Sequence, residues 1–70
     1  MGEYKVVCQS FLGECAVLTL DRKRAVDDYG TRIIISDGKE YSYYLTHNEF
    51  LICVKTTDDL LGKTISFKRV

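Results

Sequence analysis

The chain has 70 residues, 46% apolar and 29% charged, with ten basic side chains against ten acidic ones and a formal net charge of zero. A chain of this length makes one domain, buries only about 60% of its unfolded surface and draws roughly 3–5 kcal/mol of net stability from its core, which leaves little room for a strained active site or an empty pocket. Zero net charge withholds the general cationic pull on which nucleic-acid binding draws, and no uncharged stretch is longer than 41–48, which is far too short to span a bilayer.

Residues 3–11 read as a first strand, with Tyr4, Val6 and Cys8 alternating against Lys5, Val7 and Gln9. Leu12-Gly13 reads as a tight turn into a second strand over 14–20, whose inward side chains are Ala16, Leu18 and Leu20. The segment 21–30 has the weakest pattern. Its first four residues are charged, 24–29 suits either one helical turn or a short strand, and Gly30 offers a residue able to take positive φ before the next strand. As the longest connection, it is also where binding function tends to sit.

The densest run of β-branched and aromatic residues is 32–45, a hairpin with Ser36, Asp37 and Gly38 at its turn. A two-residue Asp-Gly loop pairs Ile34 with Tyr41. A three-residue loop with a glycine bulge pairs Ile33 with Tyr41 and Ile35 with Lys39. Directly paired residues share a face, so the cleaner apolar split fixes the register. The three-residue loop puts Ile33, Ile35, Tyr41, Tyr43 and Leu45 on one face and Arg32, Ile34, Glu40, Ser42 and Tyr44 on the other. It is therefore the predicted one.

Residues 50–56 form the next strand, with Phe50, Ile52 and Val54 on one face. Leu51, Cys53 and Lys55 lie on the other, and a strand so nearly continuous in apolar residues is usually covered on both sides, here at Leu51 and Cys53 by a second layer or a partner. Thr57 as a cap, Asp58 and Asp59 behind it and Gly62 at the end predict a short helical turn over 57–62. A helical turn before the last strand also occurs in SH3-like barrels, an analogy of fold that carries no function. The closing strand is 63–70, with Ile65 and Phe67 inward. The sum is an all-β chain, six short antiparallel strands joined mostly as a meander and closed into a barrel or a strongly curved sheet. The alternative is an α+β domain with a helix near 24–29.

Catalytic signatures are missing. His47 is the sole histidine, in a polar loop, and reads as a solvated side chain. Cys8, Cys15 and Cys53 lack the paired spacing of a zinc site, and with no export signal they read as reduced cytoplasmic thiols acting as small hydrophobes. Asp27-Asp28 and Asp58-Asp59 are adjacent pairs whose members point apart, not acid–base couples. No phosphate loop, nucleotide fingerprint or serine elbow is present. No enzyme, cofactor, metal, membrane or small-molecule substrate is therefore expected.

Two binding classes survive. One is a protein-interaction or accessory module, a homodimer included, with Arg32, Ile34 and Tyr44 as an amphipathic patch that Leu51 and Cys53 extend. The other, less favoured on charge, is a small barrel binding single-stranded nucleic acid through Arg22, Lys23, Arg24, Tyr29 and Tyr44. They differ in salt dependence, which is steep only for phosphate contacts.

Overall fold

The computed structural model describes residues 2–26 and 28–69. Six antiparallel strands close into a barrel: β1 (Glu3–Leu12), β2 (Cys15–Leu20), β3 (Arg32–Ile35), β4 (Glu40–Leu45), β5 (Leu51–Val54) and β6 (Thr64–Lys68). Around the barrel the order is β1-β2-β5-β4-β3-β6, with β6 returning to β1. The meander thus holds for β1–β2 and for β3–β4–β5. It breaks twice: β2 pairs with β5 rather than with β3, and β6 pairs with β3 and β1 rather than with β5. Closure leaves no sheet side unpaired over the paired spans.

The β3–β4 hairpin has the predicted register. Ile33 faces Tyr41, the Ile35 amide donates to the Lys39 carbonyl at 2.9 Å, and Gly38 takes φ +95° at the bulge. The core follows the predicted inward faces: Tyr4, Val6, Ala16, Leu18, Leu20, Ile33, Ile35, Ile52, Val54, Ile65 and Phe67 are all buried. Tyr41 and Tyr43 pack against them from the rim. Leu45, expected on the same face, lies past the core and is half exposed.

Several local expectations change. The 57–62 segment contains no helix. The Thr56 hydroxyl, not that of Thr57, accepts the Asp58 amide at 2.9 Å. A turn follows, in which the Lys63 amide reaches the Leu60 carbonyl with Gly62 at φ +80°. Short polar side chains here satisfy the backbone locally and outcompete helix nucleation. Leu60, which the sequence reading passed over, plugs this end of the barrel and is 1% exposed. The alternative helix near 24–29 is likewise not found among the described residues, although Asp27 lies outside them. Gly30 does not adopt positive φ; a Cβ there would sit 1.8 Å from the Lys68 carbonyl oxygen, so the constraint is close backbone approach.

In β1, Val6 faces Leu20 but Cys8 faces Thr19, so Val7 forms a bulge. One extra residue reverses the side-chain alternation. Cys8 therefore points outward and is exposed, against its expected place beside Tyr4 and Val6. Gln9 turns inward instead, and its side chain bonds the Asp58 carbonyl and the Leu60 amide. Val70, assigned to the closing strand, lies outside the described residues.

Candidate functional site

Alternation fixes what the barrel shows outside. On β2 the buried residues are Ala16, Leu18 and Leu20, so Cys15, Val17 and Thr19 face outward. On β5 the buried residues are Ile52 and Val54, so Leu51 and Cys53 face outward. Register then lines these side chains up across strands. Tyr44 pairs with Cys53, Cys53 with Val17, and Val17 with Ser10. One rung away, Leu51 pairs with Thr19 and Thr19 with Cys8. On the other side, Cys15 pairs with Leu12. The first two rungs carry no charged side chain, whereas the register that pairs Ala16 with Val54 sets Cys15 beside Lys55. With strands about 4.8 Å apart, the longest rung runs roughly 14 Å around the barrel.

No second layer from the described residues covers this face. Cys15, Val17, Thr19, Leu51 and Cys53 are each partly exposed, Tyr44 is 61% exposed and Leu12 77%. Leu45 and Phe50 add exposed apolar surface where β4 passes into β5. Burial pushes the Cys53 thiol up, and the Cys15 thiol beside it adds to the shift. Both cysteines are free.

The predicted Arg32–Ile34–Tyr44 patch is spread out. All three face outward, but Ile34 is half-buried between Glu40 and Ser66. Tyr44 lies four residues along β4 from Glu40, roughly 13 Å away. Arg32 stands between them, opposite Ser42 and Lys68. Tyr44 instead joins Cys53 and Leu51, the two residues expected to extend the patch.

The Arg22–Arg24 group is drawn into the fold. Arg24 is buried and donates to the Thr46 and Asn48 carbonyls at 3.1 and 3.2 Å. Arg22 lies 4.2 Å over the Tyr4 ring and donates to the Glu3 carbonyl. Lys23 faces Glu49 at 3.8 Å. Tyr29 is exposed. Asp28, read as a loop acid, is buried and accepts from the Tyr4 hydroxyl and the Gly2 amide. Together these contacts fasten the 21–31 segment across one end of the barrel.

His47 is exposed in its loop. No group of three metal-binding side chains gathers among the described residues, no cavity opens between them, and no helix is long and apolar enough to cross a membrane. The outward residues of β2 are what the sequence reading missed. Their signal was present: Cys-Ala-Val-Leu-Thr-Leu is as continuously uncharged as Leu-Ile-Cys-Val of β5. Comparison with protein-family models, with curated proteins and with solved structures finds no match to the chain.

Proposed function

We propose that the protein is a non-catalytic interaction module that binds another protein through the uncharged outer face of β1, β2, β5 and the end of β4. One observation carries this reading. The core closes without Val17, Leu51, Cys53 and Tyr44, yet these side chains lie side by side on the outer wall with no charge among them. Depletion of charge with an exposed aromatic is the composition of an interface centre, and contiguous apolar patches on small proteins mark contact sites. The three free thiols fit a reducing cytoplasm.

A second copy of this chain is the competing occupant. Affinity capture from nuclease-treated extract tests the reading. A protein retained by the wild type and lost on Val17→Lys fits it. Retention of this chain alone identifies self-association, and loss of all binding on nuclease treatment rejects a protein partner.

A further inference from the structure

The other half of the outer wall is charged, and its charges are ordered by register. Lys68 on β6 stands directly beside Arg32 on β3, and Arg32 stands beside Ser42 on β4. The Lys55 amide, at the end of β5, bonds the Ser42 carbonyl at 3.0 Å. One rung therefore reads Lys68, Arg32, Ser42, Lys55, crossing four strands over roughly 14 Å. Like charges directly opposite on neighbouring strands are destabilising, and Arg32 and Lys68 are so placed.

The compensation within the fold is partial. Glu40 takes Lys68 at 3.1 Å. The Arg32 guanidinium bonds only the carbonyl of its neighbour Thr31 at 3.3 Å. The Lys55 ammonium has no partner among the described residues. Two acids stand on the next rung, Glu40 beside Ile34 and Glu3 beside Ser66, while Asp58 holds the Tyr41 hydroxyl at the barrel end and Asp28 is internal.

Tyr44 completes the arrangement. The Tyr4, Tyr41 and Tyr43 hydroxyls are bonded to Asp28, Asp58 and Gly30. Tyr44 makes no such bond among the described residues and is 61% exposed. It is two residues along β4 from Ser42, diagonal to both Arg32 and Lys55. An exposed ring flanked by unpaired cations is the geometry that stacks a base while holding its phosphates. We propose that this rung binds single-stranded nucleic acid, with phosphates on Lys68, Arg32 and Lys55 and a base stacked on Tyr44. The site adjoins the protein-binding face and shares Tyr44 with it, and Lys55 stands two residues beyond Cys53 on the same outward side; it is inferred from the cations and not from that reading. It replaces the 22–24 basic run, of which Arg22 and Arg24 are held by the fold and Lys23 remains an exposed side chain against Glu49.

The test is fluorescence anisotropy of a labelled oligothymidylate of about 12 nucleotides, within the site size of such modules. The wild type is expected to bind at low salt, with log affinity falling against log salt at a slope near about −2, as for three phosphates on a single strand. Arg32→Gln with Lys55→Gln should weaken binding roughly tenfold and flatten the slope by about one or more. Tyr44→Ala should cost roughly fivefold or more and leave the slope unchanged. Lys39→Gln, at the hairpin tip, should change neither. No binding by the folded wild type overturns the proposal, as does equal weakening by Lys39→Gln. So does equal affinity for a duplex with no effect of Tyr44→Ala, which marks a nonspecific anion contact.

Discussion

Tyr4 and Asp28, 24 residues apart in sequence, share a buried hydrogen bond of 2.8 Å from hydroxyl to carboxylate. The same hydroxyl accepts the Ala25 amide at 2.8 Å, so one side chain of β1 holds the connection between β2 and β3 at two points. Asp28 is 2% exposed. Removing it strands a buried donor, which costs about 1–3 kcal/mol, a large part of what a 70-residue domain has. Asp28→Ala is expected to lower the urea midpoint strongly, and Asp28→Asn, which keeps an acceptor, much less. In a double-mutant cycle with Tyr4→Phe the two losses should not add.

Gly30 is held by backbone contact with β6. A Cβ would meet the Lys68 carbonyl at 1.8 Å, and neither partner is a flexible side chain. Gly30→Ala must separate the two chains, at the upper end of the roughly 1–3 kcal/mol that overpacking costs. Urea unfolding should show the largest loss of any glycine-to-alanine change outside the positive-φ positions.

Tyr41 ties the β3–β4 hairpin to the 57–62 segment through Asp58 at 2.7 Å. Burial first, and then Asp58, push its hydroxyl up to about 12. A folded value above the ordinary 10.0 means that this contribution is whole below about pH 10 and is lost as pH rises through about 12. The stability difference between wild type and Tyr41→Phe should therefore shrink across that window. Urea midpoints at pH 8, 10 and 11.5 measure it; a constant difference contradicts the assignment.

The thiols should react in an order set by position. Cys8 is exposed at the bulge, whereas Cys53 is half-buried and its thiol is pushed up. Thiolate is the nucleophile. Timed alkylation with mass mapping should label Cys8 first and Cys53 last, and raising the pH should narrow the gap.

The barrel was largely legible in the sequence because alternation fixes faces and faces fix register, as Ile33 opposite Tyr41 shows. Strand order was less so: nothing local tells β3 to pair with β6 rather than with β2, since that choice rests on long-range closure. The Val7 bulge was hidden by Val6-Val7, two apolar neighbours consistent with either alternation. The candidate site suffered from the same step. Arg32, Ile34 and Tyr44 were placed on the correct face, but their spacing along the strands follows from register, which separates Ile34 from Tyr44. The charge of Arg22–Arg24 was visible, but its engagement by Tyr4, Glu49 and the 46–48 carbonyls was not.

The most direct measurement compares three folded proteins in capture from nuclease-treated extract: wild type, Val17→Lys on the uncharged face and Ile34→Lys on the charged half. Thermal unfolding first confirms that each is native. The expected result is a protein partner retained by the wild type and by Ile34→Lys, and lost by Val17→Lys. Retention by Val17→Lys with loss by Ile34→Lys would contradict it and move the contact to the Arg32–Ile34 side of the barrel.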